Sequence, residues 1–544
     1  MARVRWLFVL LTAATLTAAG CSGGANGPSS AASGDRVPAD GGTMTFRLPG
    51  DYTSFDIQRD IRSLSFAIST NAYATLVALD SAGKVIPYLA SSWDDSLTSI
   101  KFTLRTDATC EDGTKVTPTV VKRSFDRLLE TPAAGLLTTF GGGPFSTEAD
   151  DATNTFTFSS KTSYGDRLYA FASMGSGIVC PAGLANPDAL KDKTFGAGPY
   201  TVAEAVHGDH VTLKRRKDFT WGPNDITGTT QGMPDTLVYK IVDNETTAAN
   251  LLQTGGVDGG VITGKDIDRL LANQKLNHVN FPNYGVMVML MQEAPGRPTA
   301  DPAVREAVAT AIDPKAWGTL GLGGHFVASS SFLTPKAQCY DAGTADVVAK
   351  PDVNAARKVL EDAGWTDDNG KLTKDGKPLE ITLLTSTTFP GTGDYMLDQL
   401  QKAGFTVDLH NVEFNSWALD VLAGKFDVTY LNNQSALRIP GGQTLGTTLT
   451  SQPLKDGGKQ NYANVVDPVL NDELEAANTT SGAESCDHWA KFQQRAISSH
   501  HVAPLVSAQN FGFSARDIDL LGGGVQCAPL QQPAPCGMAA RRYR

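Results

Sequence analysis

Few of the constellations that catalysis uses are present in this chain. It has no Gly-x-Ser-x-Gly elbow, no His-Glu-x-x-His zinc pair and no phosphate-cradling Walker loop. Gly364 and Gly370-Lys371 stand at the wrong spacing for such a loop, and Leu372 follows where Ser or Thr is required. The eight histidines are spread along the chain. His207 with His210, and the neighbours His500 and His501, are the pairs close enough to share a metal. On a strand, His500 and His501 would point to opposite faces. No metal site and no cofactor are expected, and the chain reads as a binding protein rather than an enzyme.

Cysteine chemistry is more informative. There are seven cysteines, an odd number, and the position of the first accounts for it. Arg3 and Arg5 precede an apolar run, Trp6–Ala14, and the small residues Ala18-Ala19-Gly20 lead to Cys21. That is an export signal, too short to span a bilayer stably. The cleavage point resembles a bacterial lipoprotein lipobox, with Ala18 where Leu is usual. The resemblance implies a diacylglycerol on the Cys21 thiol, and so a lipid anchor on the outer face of the cell membrane. Cys110, Cys180, Cys339, Cys486, Cys527 and Cys536 remain. An even set in an exported chain suggests disulfides, with 15 possible pairings. The absence of Cys-x-x-Cys argues against a zinc ribbon or a dithiol redox site. Cys527 and Cys536 flank a Pro-containing loop, and local pairing is the simplest expectation for them.

The elements that must position any site form an α/β alternation. The 544 residues are 41% hydrophobic and 19% charged, enough apolar material for a core in about three lobes. A net charge of −11 and scattered basic residues exclude a nucleic-acid binder. The dense run Lys214-Arg215-Arg216-Lys217 reads as a solvated strand end. Residues 22–42, rich in Gly, Ser, Ala and Pro, read as a flexible tether. Strands are expected at Thr43–Leu48, Val85–Tyr88, Lys101–Arg105, Thr155–Phe158, Val211–Lys214, Leu237–Val242, Val286–Met291, Glu380–Leu384 and Phe405–His410. Helices are expected at Val120–Leu129, Asn244–Thr254, Pro302–Ile312, Asn354–Ala363 and Gly393–Ala403. The Gly-rich connections Gly222–Gly232 and Pro440–Gly458 read as rims of a cleft.

Several segments, in order, resemble the bacterial extracellular solute-binding proteins of family 5. They are Leu76-Val77-Ala78-Leu79-Asp80, Gly83-Lys84, Pro87-Tyr88-Leu89-Ala90-Ser91-Ser92-Trp93, and Phe102-Thr103-Leu104-Arg105 with Asp112-Gly113-Thr114. Gly196-Ala197-Gly198-Pro199-Tyr200, Gly255-Gly256-Val257-Asp258 and Val304-Arg305-Glu306-Ala307 with Ala311-Ile312-Asp313 follow. The helix Ala355–Gly364 and Asn461-Tyr462-Ala463-Asn464 complete the series, which spans roughly 43–515.

The resemblance implies a bilobed periplasmic-binding-protein-like (class II) α/β fold that closes on ligand by a hinge, read as a monomer. It implies a first lobe from 43–75, 196–283 and 500–544, a subdomain inserted in it at 76–195, and a second lobe at 284–499. Residues 1–21 would be the lipoprotein signal with its cysteine. Within the inserted subdomain, Cys110 and Cys180 follow strand-like segments at Lys101–Arg105 and Ser176–Val179, and a disulfide between them is expected. Cys339 and Cys486 have no assigned partner.

Implied partners are a small polar solute or peptide and the transmembrane subunits of an ABC importer; a sensing lipoprotein of the same fold is the alternative. Peptide-binding members place a Trp and an amine-binding Asp after a Phe-Asp-Val strand. Here Phe426-Asp427-Val428 leads to Asn432-Asn433-Gln434-Ser435, then Ala436, where the Asp would fall, and Arg438. Asn432, Asn433, Gln434 and Arg438 are therefore expected to contact ligand from a loop, with Trp417 stacking and Tyr52 contributing from the first lobe. This set suits a neutral polyol, a sugar, an acidic solute or a capped peptide. A free peptide amine would need another carboxylate, Glu413 or Asp56.

Overall fold

The computed structural model describes residues 37–60, 63–80, 83–130, 136–141, 143–281, 285–434, 449–450, 461–520, 525–526 and 540–544. Cys21 and the tether up to residue 36, Arg438, the connection Pro440–Gly458 apart from residues 449–450, and Cys527 and Cys536 lie outside them.

Two sheets organise the chain. The first has seven strands, in the order Leu276–Phe281, Asn510–Ala515, Gly259–Ile262, Thr43–Leu48, Thr236–Ile241, His210–Arg215 and Tyr200–Val206. Thr43–Leu48 runs parallel to Thr236–Ile241 in continuous register, Thr43 opposite Thr236 and Leu48 opposite Ile241. Its alternate residues Met44, Phe46 and Leu48 are buried in a core with Tyr200, Leu213 and Tyr239. The second sheet has five strands, in the order Thr406–Val412, Glu380–Ser386, Val428–Gln434, Gly285–Met291 and Val502–Pro504. Gly285–Met291 is apolar throughout because both faces are covered: Val286, Val288 and Leu290 enter one core, Met287, Met289 and Met291 the other.

The lobes are joined by neighbouring passages of chain. Leu276–Phe281 pairs with Asn510–Ala515 in the first sheet, and Gly285–Met291 pairs with Val502–Pro504 in the second. The Ser507 hydroxyl donates to the Gly285 carbonyl at 2.8 Å. Val502–Pro504 thus belongs to the second sheet, although 500–544 was expected wholly in the first lobe. The return crossing comes after residue 504, because the buried strand Gly285–Met291 needs a partner on that edge.

A four-stranded antiparallel sheet, Ala90–Asp95, Ser99–Leu104, Thr155–Ser160 and Phe145–Asp150, packs with helix Pro118–Glu130 into a smaller body. Phe102, Phe125, Phe140, Phe156, Phe158 and Phe171 fill its core, with ring centroids 4.8–6.4 Å apart. Cys110 and Cys180 form a disulfide here, Cα atoms 6.1 Å apart, and Cys339 and Cys486 form another in the second lobe, at 4.6 Å. Ser176–Val179 is not a strand. Met174–Ser176 is a short 3₁₀ turn, and Ile178 only donates its N–H to the Ala74 carbonyl.

Local signals explain the helix ends. Asn244 caps Glu245–Thr254 by accepting the Thr247 N–H, and Gly255, at φ 76°, takes the left-handed turn that ends it. Asp301, Asp313 and Asp352 cap their helices in the same way. The basic run at 214–217 departs from expectation. Arg215 and Arg216 are buried, because backbone carbonyls and acids surround them. Arg215 donates to the Met233 carbonyl at 2.7 Å and to Asp40 at 3.1 Å. Arg216 donates to the Thr109 and Cys110 carbonyls, both at 3.0 Å, and lies over Trp221.

Candidate functional site

Open α/β sheets bind ligands beyond the carboxyl ends of their parallel strands. In the second sheet, Glu380–Ser386 is parallel to both Thr406–Val412 and Val428–Gln434, so the three end at one edge. The pairing of Leu383 with Val428 sets Ser386 level with Leu431. Asn432, Asn433 and Gln434 therefore reach past that neighbour, held on the other side by Met287, Val286 and Gly285. The expected amide loop is thus a strand as far as Gln434. Gly285–Met291 runs to the same edge and takes up the backbone groups that a loop would leave to solvent.

Strand alternation separates the two asparagines. Asn433 is fully buried, and its Nδ2 donates to the Phe332 carbonyl at 2.7 Å. Asn432 is exposed. The side chain of Gln434 falls outside the described residues.

Helix Phe414–Leu422 starts at the same edge, directly after Thr406–Val412. Trp417 is half-buried on it; its indole N–H donates to the Thr429 hydroxyl at 3.1 Å, and that hydroxyl donates to the Leu384 carbonyl at 2.9 Å. The Trp417 ring is therefore held by the sheet. Phe414 stacks on it, centroids 5.5 Å apart, and remains 53% exposed. Sequence reasoning missed Phe414. The available signal was its position one helical turn before Trp417, which puts both rings on one face. Behind them Tyr430 and Phe389 pack around Trp317, and the Tyr430 hydroxyl accepts the Ser386 N–H at 2.9 Å.

The first-lobe candidates are placed differently. Tyr52 is 2% exposed, sandwiched between Phe55 at 4.7 Å and His207 at 4.3 Å. Burial, with Asp192 and Asp51 nearby, pushes its hydroxyl up to about 12. It packs the wall of the lobe. Asp56 is engaged by a bidentate ion pair with Arg127, at 2.5 and 3.0 Å, and Arg127 also donates to Gln58 at 2.6 Å. Glu413 lies exposed at the start of the Phe414–Leu422 helix, and its carbonyl accepts the Trp417 N–H at 2.9 Å. Arg47, buried near the end of its strand, donates to the Val261 and Val242 carbonyls at 2.8 and 3.1 Å. Burial lowers its pKa, while Glu245 and Asp243 oppose the shift. Gly222–Gly232 leads into the amino end of Thr236–Ile241, away from the carboxyl ends of the parallel strands.

His500 and His501 do not lie on a strand: His500, at φ 53°, stands in the turn after helix Gly482–Ser498, and strand Val502–Pro504 begins only after His501. His207 sits between Asp51 and Asp192 on the surface. His501 is buried between Glu293 at 2.7 Å and Asp467 at 3.0 Å. Among the described residues no group of three or more His, Cys, Asp or Glu is arranged to hold a metal. No helix among them is long and apolar enough to cross a membrane.

Two α/β lobes joined by paired crossings, with the ends of parallel strands carrying amides and stacked aromatics, define a solute-binding protein of the bilobed kind. Residues 84–451 match the family described as "Bacterial extracellular solute-binding proteins, family 5 Middle", and the chain belongs to that family. It is 23% identical over 434 residues to the oligopeptide-binding protein AppA of Bacillus subtilis, covering 75% of this chain and 76% of that one. It is 24% identical over 323 residues to the nickel-binding periplasmic protein of Escherichia coli, covering 57% and 59%. Among solved structures, a substrate-binding protein from Microbacterium hydrocarbonoxydans complexed with 4-hydroxybenzoate hydrazide superposes with a TM-score of 0.72. That match has 26% identity and covers 92% of this chain and 99% of the other.

Proposed function

We propose that the chain is a lipid-anchored extracytoplasmic receptor that captures a small polar solute between its lobes and hands it, unaltered, to an ABC importer. The carrying observation is the carboxyl edge of the second sheet. There Asn432 is exposed beyond the end of its neighbouring strand, and helix Phe414–Leu422, which carries the stacked rings of Phe414 and Trp417, begins at the same edge. Amides pair with the polar groups of a ligand, and flat rings cover a planar one. Asn432, Gln434, Arg438, Trp417 and Phe414 form the proposed ligand-binding set. Asn433 supports it from within the sheet through the Phe332 carbonyl, while Tyr52, stacked on Phe55, stands in the first lobe.

Asp56 is occupied by Arg127, which removes one of the two carboxylates that could hold a peptide amine. That favours a neutral or acidic solute, or a peptide-like ligand with a blocked amine, carrying a planar amide or aromatic group. The Microbacterium relative was solved with an aromatic hydrazide, a ligand of that chemistry. The four-stranded body is proposed as a subdomain inserted in the first lobe, tied there by Arg127. Anchoring rests on Cys21, whose acyl chains would each contribute about 0.8 kcal/mol per buried CH₂.

Calorimetric titration with a panel of capped and free dipeptides, aromatic amides, sugars and dicarboxylates tests the reading. One class is expected to bind 1:1 and to lose about tenfold or more in affinity with Asn432→Ala or Phe414→Ala. Tight binding of a free-amine peptide that ignores both substitutions would overturn the assignment of the site.

A further inference from the structure

Every helix ends in carbonyls that have no partner within the helix. At the end of helix Pro468–Thr479, in the second lobe, the Thr480 hydroxyl caps the Ala476 carbonyl and the Ser485 hydroxyl caps that of Ala477, both at 2.8 Å. The Asn478 carbonyl is capped from elsewhere. It accepts the Gly165 N–H at 3.1 Å, and Gly165 belongs to the four-stranded body.

Gly165 is rigidly presented. The Tyr164 N–H before it donates to the Leu97 carbonyl at 2.8 Å. Arg167 after it is fully buried and donates to the carbonyls of Leu97, Phe140 and Thr162 at 2.6, 3.0 and 2.7 Å. The approach depends on the missing side chain. A Cβ at residue 165 would lie 2.5 Å from the Thr480 carbonyl oxygen, and the next nearest atoms, both at 3.6 Å, are also in the second lobe. Gly165 is not among the residues with positive φ, so its backbone suits alanine. The nearest obstacles to a side chain lie across the gap between the body and the second lobe.

We propose that Gly165 and the end of helix Pro468–Thr479 form a closure latch, with the four-stranded body acting as a second jaw. This deepens the receptor reading and rests on it: apparent affinity scales with the closed fraction, so a contact made only on closure sets it. A backbone-to-backbone contact is neutral, so the latch is insensitive to salt and to ligand charge.

Hydrogen exchange read by mass spectrometry tests it on the full-length protein, without ligand. In the wild type, the segment holding Gly165 should exchange faster than strand Phe145–Asp150, because the latch opens without unfolding the body. Gly165→Ala should speed exchange in segments 160–167 and 474–482 together, by about threefold to tenfold, the worth of one hydrogen bond. Melting should stay within about 2 °C. Unchanged exchange in both segments would overturn the latch. So would wild-type exchange at Gly165 as slow as in Phe145–Asp150, or a general acceleration with a lowered melting temperature, each of which marks a static packing contact. Since no ligand is used, failure to find a solute would count against the receptor and leave this result standing.

Discussion

Asn432 and Asn433 are adjacent and chemically identical, yet exchanging each for alanine should have opposite consequences. Asn433 is fully buried and gives its amide to the Phe332 carbonyl at 2.7 Å. Truncation leaves that carbonyl desolvated and unpaired, a cost of about 1–3 kcal/mol. Asn432 is exposed on the other side of the strand, and its truncation should change stability by no more than about 0.5 kcal/mol. Urea unfolding followed by tryptophan fluorescence is weighted to the second lobe, which holds four of the seven tryptophans, Trp317, Trp365, Trp417 and Trp489. With an m-value of about 2–3 kcal/mol/M, Asn433→Ala should lower the midpoint by roughly 0.5–1 M. Asn433→Asp keeps the volume but removes the donor and buries a charge against a carbonyl, so it should cost more. Ligand affinity should follow the reverse order, falling for Asn432→Ala at unchanged stability. If the two alanine variants unfold at the same midpoint, residues 432–434 are not the alternating strand described here, and the division of labour fails with it.

Breaking the buried Arg127–Asp56 pair by Asp56→Asn should cost about 3–5 kcal/mol and speed hydrogen exchange in Pro118–Glu130; an unaffected helix would contradict its clamping role. Removing the Cys339–Cys486 bridge, which spans 147 residues, should lower stability by about 5 kcal/mol on the chain-entropy estimate, seen as a reduced urea midpoint of the double serine variant. Burial raises the Glu111 carboxyl to about 7, against the Thr194 hydroxyl and Arg216, which lower it. The folded state then binds a proton that the unfolded state has released. Stability should fall as pH rises from about 4.5 to 7, by on the order of 1–2 kcal/mol after solvent screening, and Glu111→Gln should flatten that slope in pH-dependent melting. Cys21→Ala should move the protein from the membrane pellet to the soluble fraction; unchanged pelleting would refute the anchor.

Local chemistry carried most of the elements. Asn244 and Gly255, or Asp301 before Pro302, mark helix ends through bonds made within a few residues, so they are readable in order along the chain. What stayed hidden depended on distant partners. Residues 432–434 are amide-rich and look like a turn, but Gly285–Met291, more than 140 residues earlier, draws them into a ladder. Arg215 and Arg216 look like solvated charge because nothing nearby shows that Met233, Thr109 and Cys110 will offer carbonyls. Tyr52 follows the first strand as a ligand contact would, yet the His207 and Phe55 rings enclose it. Phe414 was overlooked because its exposure follows from where its helix begins at the sheet edge.

The central claim is that this chain binds a small solute between its lobes and returns it intact. Equilibrium dialysis of the purified protein against a defined mixture of peptides, aromatic amides, sugars and organic acids, read by mass spectrometry, tests it directly. One chemical class should be retained at one molecule per chain, be released with its mass unchanged on denaturation, and be lost with Asn432→Ala or Phe414→Ala. Retention of nothing at any concentration, or recovery of the bound class with an altered mass, would contradict the account.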